Sequence, residues 1–296
     1  MGDEEIRTGH PKIAAEGGQK ETAVNRRGLA EMELTGEAKS RGPSPLRRLA
    51  PLLAVDDIIW LAGGLPNQAA FPLTSLTATL YDGTKIEIGA APSAGGEGKG
   101  LLYNAQQYMT ENLGYTPLVS WCETHMELLH GPLPNHKCIL TAGSTCSGDV
   151  IMRILCEKGT TTMLAEEYTY PNFTSSVKPL GVPIVPVAMD DEGMIPNSLE
   201  ENILKIRAGD APPKSLILYI GTCGQNPTGH TYSRERLRDL YEMTRKYDVI
   251  IIEDDPYMYL SFPTGDSMDP PGPPRPLVRR WRSLLPPLYR RGRACH

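Results

Sequence analysis

Two apolar segments with one amphipathic segment between them constrain the fold of this chain more than any other feature. Ser215–Ile220 and residues 249–252 (VIII) are apolar and predict two buried strands. Between them, residues 234–247 carry apolar side chains at helical spacing. Two strands that are joined through a helix lie parallel in one sheet. The sequence therefore predicts an α/β fold built on parallel strands.

Polar side chains follow both predicted strands. Asn226 lies in the loop after the first strand, and Asp254 and Tyr257 lie just beyond the second. Open α/β sheets bind ligands in a crevice at the carboxyl ends of their parallel strands. We therefore expect Asn226, Asp254 and Tyr257 to face one binding crevice.

The chain before this unit repeats the alternation of strands and helices. Strands are predicted at residues 137–141, 161–165 and 182–187, and helices at 118–130, 149–157 and 196–207. This order, from residue 137 to residue 253, predicts a three-layer α/β sandwich whose mainly parallel sheet is covered on both faces. Further upstream, residues 76–103 predict a β-hairpin region with Asp82 and Gly83 in its turn.

A third polar element precedes the helix predicted at 149–157. Gly143, Ser144 and Thr145 join that helix to the strand before it. Free backbone N–H groups and the helix dipole suit such a junction to an anion, and hydroxyl groups add donors. The same residues also suit a helix cap without a ligand, so these residues alone leave both interpretations open.

The motifs around these residues resemble a known family. Residues 226–229 (NPTG), followed by residues 254–257 (DDPY), are similar to motifs of the fold-type I, class I/II aminotransferases that use pyridoxal 5′-phosphate. The resemblance is strongest to the branch that acts on aromatic amino acids and 2-aminoadipate. Four further blocks match in order, namely residues 44–51 (SPLRRLAP), 61–66 (LAGGLP), 141–145 (TAGST) and 166–171 (EEYTYP). Together the blocks cover residues 44 to 262.

The resemblance implies how the chain would hold the cofactor phosphate and ring. Gly143, Ser144 and Thr145 would bind the phosphate group. Tyr170, which directly precedes Pro171, would stack on the pyridine ring.

The resemblance also implies which residues would tune the ring. Asp254 would keep the ring nitrogen protonated, which makes the cofactor a better electron sink; the neighbouring Asp255 is the alternative. Asn226 and Tyr257 would hydrogen-bond the phenolic oxygen of the ring.

Other matching residues are implied on the substrate side. Gly63 and Gly64 would border the substrate carboxylate, where two glycines let a ligand approach the backbone. Tyr108 matches a tyrosine that reaches the site of the neighbouring subunit, although a packed interface tyrosine is an equal alternative. The resemblance therefore implies a homodimer that acts on an amino acid and a 2-oxo acid.

The reaction of the family also needs a lysine that binds the cofactor and moves a proton between cofactor and substrate. The resemblance places this lysine after the DDPY segment, in a Ser-x-Ser-Lys context. The last lysine of this sequence is Lys246, which precedes Asp254. The small C-terminal domain of the family is missing as well. We therefore expect the chain as written to be inactive in amino-group transfer.

The segment at residues 263–296 resembles nothing in the family. It contains seven Arg, two Asp and no Lys, which gives a net charge of +5, and it is rich in Pro. One hypothesis is that a wrong reading frame has been translated here. The other is that the chain is a real product that binds the cofactor without catalysis. A basic segment for RNA or a membrane surface is disfavoured, because it has few aromatic residues and no helical face.

Composition and charge restrict partners and location. The net charge of −5 over 296 residues gives no support for a nucleic-acid partner, and no apolar run is long enough to span a bilayer. The first residues, MGDEEIRTGH, do not resemble a targeting peptide. Six cysteines without a CxxC pair favour a reducing compartment. We therefore expect a cytoplasmic protein.

Four regions are predicted along the chain. Residues 1–42 have little apolar content and are expected to form a disordered tail. Residues 43–117 would form an N-terminal arm with the hairpin segment. Residues 118–262 would form an incomplete cofactor-binding large domain. Residues 263–296 would form an unstructured tail.

Overall fold

The computed structural model describes residues 33–42, 44–45, 48–49, 52, 55–57, 59, 64, 66–89, 100–108, 113–131 and 136–260. The α-helices in these ranges are α1 Gly36–Ser40, α2 Leu101–Gln106, α3 Thr116–His130, α4 Ser144–Leu155, α5 Pro171–Val177, α6 Pro196–Arg207 and α7 Arg234–Lys246. The strands are β1 Ser75–Thr79, β2 Lys85–Gly89, β3 Thr161–Glu166, β4 Ile184–Val187, β5 Met189–Asp190, β6 Gly193–Met194, β7 Ser215–Ile220 and β8 Val249–Glu253.

A four-stranded parallel sheet forms the centre of the fold. Its strand order is β4-β3-β7-β8. In the register of the sheet, Leu218 lies between Leu164 of β3 and Ile251 of β8. The inner strands β3 and β7 are buried along their whole length, as expected for a parallel sheet between two helical layers. The predicted parallel α/β fold is therefore confirmed.

Alternate residues of β7 face opposite layers of the sandwich. Leu218 and its neighbours two positions away belong to the main core cluster, together with Leu199 of α6 and Leu237 of α7. Tyr219 points to the other face, where its ring stacks on Phe173 of α5 with 3.4 Å between ring centroids. The side-chain period of two thus explains why helices cover both faces.

The β-hairpin is confirmed only in the first part of its predicted region. Strands β1 and β2 pair antiparallel, and Asp82 and Gly83 lie in the turn between them, where Asp82 Oδ1 accepts the N–H of Thr84. The end of the region instead forms helix α2. Its Gln106 side chain bonds both backbone groups of Leu73, so the helix serves as a support at the base of the hairpin.

Residues 137–141 do not form the predicted strand. The backbone of this segment pairs with no strand of the described chain. The bond between Leu140 N–H and the carbonyl of Leu113 joins it to the segment before α3. A strand needs a neighbouring strand, and local apolar character does not supply one.

The prediction of a disordered tail at residues 1–42 is wrong for its last residues, which include helix α1. Thr35 is buried, and its side chain caps the N-terminus of α1. The backbone N–H of Thr35 also bonds the carbonyl of Ile154, and its hydroxyl bonds the carbonyl of Arg153. These two carbonyls lie in the last turn of α4, where a helix has unsatisfied acceptors. Helix α1 is therefore fixed by contacts that are distant in the sequence.

Most other helix boundaries agree with the sequence. Helix α6 has the predicted bounds, and α7 ends one residue early. Helix α4 begins five residues earlier than predicted because Gly143, at φ +86°, forms its N-cap. Within the described ranges, none of the helices has the length and apolar character needed to cross a lipid bilayer.

Candidate functional site

A crevice with a cavity volume of about 160 Å³ opens at the carboxyl ends of the central strands. Five of the predicted cofactor residues line it, namely Ser144, Tyr170, Asn226, Asp254 and Tyr257. These residues come from four different parts of the chain, so the parallel sheet brings them together as expected.

The N-terminus of α4 forms one end of the crevice. Gly143 is the N-cap residue, and no side chain bonds the first turn as a cap. Ser144 lines the crevice, and Thr145 lines a smaller neighbouring crevice together with Asp254. A twelve-residue helix thus presents backbone N–H groups and its positive dipole end to this space.

Tyr219 fixes one oxygen of Asp254. The Tyr219 hydroxyl donates to Asp254 Oδ2 at 2.7 Å. Burial and this carboxylate partner both raise the pKa of Tyr219, so the phenol stays protonated and acts as a donor. Asp255, the alternative residue, is not among the residues that line the crevice.

A buried carboxylate lies at the base of the crevice. Glu166 is the last residue of β3 and is 2% exposed. Its carboxylate accepts hydrogen bonds from Gly221 N–H, from Gln225 Nε2 and from the Tyr232 hydroxyl. Burial raises the pKa of Glu166, and the three donors oppose that rise. His230 Nε2 lies 3.8 Å from Oε1, and burial lowers the pKa of this histidine.

Tyr170 and Thr169 both line the crevice. Tyr170 is the N-cap residue of α5, and Asn172 Nδ2 donates to its phenol oxygen at 2.7 Å. The Thr169 Oγ1 atom is buried and has no hydrogen-bond partner in the described part of the chain. A buried hydroxyl without a partner is costly, and a polar ligand in the crevice would satisfy it.

Two of the predicted substrate-side residues, both in the described part of the chain, do not line the crevice. Gly64, with φ +56°, and Tyr108, which is 70% exposed, line neither the crevice nor its smaller neighbour. Gly63 lies outside the described residues. Tyr108 was expected to reach a second subunit, so its position in a single chain does not test that role.

No lysine lines the crevice among the residues that the structure describes. Lys246 lies at the end of α7, where its ammonium group donates to Glu200 Oε1 at 2.7 Å. The same ammonium group lies 4.9 Å from the centre of the Tyr247 ring. Lys246 is therefore engaged by other groups.

Sequence reasoning missed Tyr219, Glu166 and Gln225, which support the site from below. Tyr219 was treated as one apolar residue of a buried strand. Glu166 and Gln225 fell within or beside the motifs but were given no role. The rule that polar residues at the carboxyl ends of strands approach the ligand would have indicated Glu166.

Comparison with known proteins identifies the family. The sequence profile described as Aminotransferase class I and II matches residues 110–278, which is more than half of the chain. The match continues past residue 262, where the resemblance was expected to end. Members of this family use pyridoxal 5′-phosphate.

Two relatives and one solved structure illustrate the similarity. An aromatic amino acid aminotransferase of Schizosaccharomyces pombe is 32% identical over 77% of this chain and 51% of its own length. The mitochondrial kynurenine/alpha-aminoadipate aminotransferase of Mus musculus is 33% identical over 81% of this chain and 58% of its own length. The crystal structure of aminotransferase Aro8 from Candida albicans superposes with a TM-score of 0.68 at 33% identity, over 80% of this chain and 51% of that one. The chain thus spans about half the length of the relatives it matches.

Proposed function

Because the chain belongs to the class I and II aminotransferase family, we propose that its crevice is the pyridoxal-phosphate site of an aminotransferase. The activity would be transfer of an amino group from an aromatic amino acid or 2-aminoadipate to a 2-oxo acid. One observation carries this proposal. The N-terminus of α4, which no side chain caps, and the Tyr219–Asp254 pair face the same crevice.

The α4 end suits the phosphate group of the cofactor. Ser144 and Thr145 can offer backbone N–H groups and hydroxyls, and the helix dipole favours the dianion. At Gly143, a Cβ would meet no heavy atom within 4 Å. The glycine is therefore explained by its positive φ, which turns the chain into the helix.

The remaining residues suit the ring. Tyr170 would cover one side of it, and Asn226 and Tyr257 would bond its phenolic oxygen. Asp254 would face the ring nitrogen. Because Tyr219 already occupies Oδ2, Oδ1 of Asp254 would be the oxygen that accepts the N–H of the pyridinium.

When bound, pyridoxal phosphate supplies a ring that withdraws electrons from the substrate Cα. The chain must then supply an amine that carries the proton to and from that carbon. We propose that no lysine of the described chain supplies this amine, because none of them lines the crevice and Glu200 holds Lys246. This chain would therefore bind the cofactor without completing amino-group transfer.

Further assignments extend the proposal beyond the crevice. Gly63, Gly64 and Tyr108 would contribute to the substrate side in a homodimer. The cytoplasmic location expected from the sequence stays a prediction. The similar mouse protein is described as mitochondrial. We propose neither a nucleic acid nor a membrane as a partner.

Titration of the purified chain with pyridoxal phosphate tests the proposal. We expect saturable binding, seen by absorbance and by quenching of protein fluorescence. Asp254→Ala should weaken this binding about tenfold, the loss expected for a hydrogen bond to a charged group. The matched control Asp239→Ala, on the surface of α7, should bind pyridoxal phosphate as tightly as the unaltered chain does. Equal binding by the Asp254 variant and the unaltered chain would contradict the proposed site.

Borohydride reduction tests the proposal that the chain does not complete amino-group transfer. Reduction of the mixture followed by peptide mass analysis should show no pyridoxyl group confined to one lysine. A single modified lysine, together with turnover of an aromatic amino acid and 2-oxoglutarate, would show that the chain is a working enzyme.

A further inference from the structure

The hydrogen-bond partners of the buried Glu166 carboxylate fix its role as an acceptor at both oxygens. Gly221 N–H can only donate, and it faces Oε2 at 3.2 Å. The Tyr232 hydroxyl accepts the N–H of Met194 at 2.9 Å and donates its own hydrogen to Glu166 Oε1 at 2.6 Å. These partners suit an ionised carboxylate.

The orientation of the Gln225 amide is fixed by groups that have only one role. The backbone N–H of Thr228 donates to Gln225 Oε1 at 3.0 Å, so this atom is the carbonyl oxygen. The Nε2 group then donates to Glu166 Oε2 at 3.0 Å and to the carbonyl oxygen of Tyr168. The amide is thus a bridge from the buried carboxylate to the loop that contains Asn226.

That loop is closed on both sides of Asn226. The backbone N–H of Gln225 donates to the carbonyl of His230 at 2.9 Å, and Gly229 N–H donates to the carbonyl of Gln225. The Thr228 hydroxyl bonds Gln225 Oε1 at 2.6 Å and lies 2.6 Å from His230 Nδ1. Asn226 itself is exposed and lines the crevice. Its position therefore depends on Gln225, and the position of Gln225 depends on Glu166.

We propose that Glu166 and Gln225 are positioning residues that hold Asn226 against the bound cofactor. This inference rests on the proposed function, because it assumes that Asn226 contacts pyridoxal phosphate. Neither residue needs to touch the cofactor. An ionised carboxylate anchors the amide more strongly than a neutral acceptor would, which explains why a charge is buried at the base of the crevice.

A double-mutant cycle between Gln225 and Asn226 tests the inference. Gln225→Met keeps a side chain of similar length and removes the hydrogen bonds of the amide to Glu166, Tyr168 and Thr228. Asn226→Ala removes the contact with the cofactor. Each change should weaken pyridoxal-phosphate binding about tenfold. The double variant should bind within about twofold of Asn226→Ala alone, because the two changes remove one interaction.

Tyr232→Phe is the matched control. It removes a different donor from the same carboxylate and leaves the bridge to the loop in place. Thermal unfolding without cofactor should show that Gln225→Met and Tyr232→Phe are both folded and destabilised. Only Gln225→Met should weaken cofactor binding, and it should shift the absorbance maximum of the bound cofactor in the direction seen with Asn226→Ala.

The outcomes separate this inference from the proposed function. Absent binding by the unaltered chain, or equal binding by Asp254→Ala, overturns the proposed function. Binding that responds to Asp254→Ala, but not to Gln225→Met, overturns only the positioning role. Additive losses in the double variant would also overturn it, as would equal losses in Tyr232→Phe. If Gln225→Met does not fold, Glu166→Asp serves in the same cycle, since it withdraws the carboxylate from Gln225 without removing the charge.

Discussion

Tyr219 lies on β7 and Asp254 directly follows the neighbouring parallel strand β8, and the Tyr219 phenol donates to the Asp254 carboxylate at 2.7 Å. The phenol ring is buried and stacks on Phe173, so its hydroxyl has little freedom to turn away. The pair therefore presents Asp254 Oδ1 in one orientation before any ligand binds. Such preorganisation lowers the cost of binding a cation at that oxygen.

Tyr219→Phe isolates this effect. The variant keeps the stacking on Phe173 and removes only the hydrogen bond to Asp254. We expect pyridoxal-phosphate binding about tenfold weaker, from loss of one hydrogen bond to a charged group. Tyr247→Phe is the matched control, because it removes a phenol bond to Glu200 at 2.6 Å in a part of the fold that does not line the crevice. Equal dissociation constants for both variants would contradict the role of the pair.

Thr35 links α1 to the end of α4, so Thr35→Val should destabilise the fold. The change removes the hydroxyl bond to the carbonyl of Arg153 at 2.7 Å and the cap to Ala38 N–H at 3.0 Å. We expect the free energy of unfolding to fall by about 1–3 kcal/mol in urea titration. Ser40→Ala, at an exposed position of the same helix, should change it by less than about 0.5 kcal/mol. A Thr35→Val chain as stable as the parent would indicate that the two hydrogen bonds of the Thr35 hydroxyl do not stabilise the fold.

The parts of the fold that follow from local patterns were predictable from the sequence. Helix α6 and the unit from β7 to β8 have a strong apolar period, and their predicted positions are confirmed within one residue. The segment at 137–141 has an apolar pattern as well, but strand formation depends on a partner elsewhere in the chain. Helix α1 depends in the same way on contacts with α4.

The site shows the same division between local and distant signals. Motif spacing identified Asn226, Asp254 and Tyr257, and the parallel sheet brings them to one crevice. The supporting bonds could not be predicted, because they join residues far apart in the sequence. Glu166 and Tyr232 are 66 positions apart, and Tyr219 and Asp254 are 35 apart.

Two glycines with positive φ should respond very differently to alanine. At Gly143, φ is +86° and a new Cβ would meet no atom within 4 Å. Gly143→Ala should therefore cost only the backbone strain, about 1–3 kcal/mol. At Gly193, φ is +96° and the new Cβ would lie 2.5 Å from both Tyr232 Cζ and His230 Nε2.

Gly193→Ala adds a steric clash to a similar strain, so it should cost more than about 3 kcal/mol. Urea unfolding of the two variants measures the difference directly. Cofactor binding should show the opposite order in the variants that remain folded, since Gly143 leads into the crevice and Gly193 does not line it. Similar unfolding free energies for both variants would contradict the predicted clash.

His130 should make stability depend on pH. The residue is 4% exposed at the end of α3, and neither ring nitrogen has a hydrogen-bond partner within the described ranges. Burial lowers the pKa of His130 below its usual 6.5, and the nearby His125 contributes to the shift.

A lowered pKa in the folded state means that the unfolded chain takes up the proton first. Stability should therefore be retained above about pH 6.5 and lost as the pH falls below it. Each group of this kind contributes a slope of at most about 1.4 kcal/mol per pH unit. His130→Leu removes the ionisable group, so the slope between pH 7 and pH 5 should become shallower. His230, whose pKa is also lowered by burial, should keep part of the slope. Urea unfolding at half-unit pH steps measures this, and an unchanged slope in His130→Leu would show that the proton is taken up elsewhere.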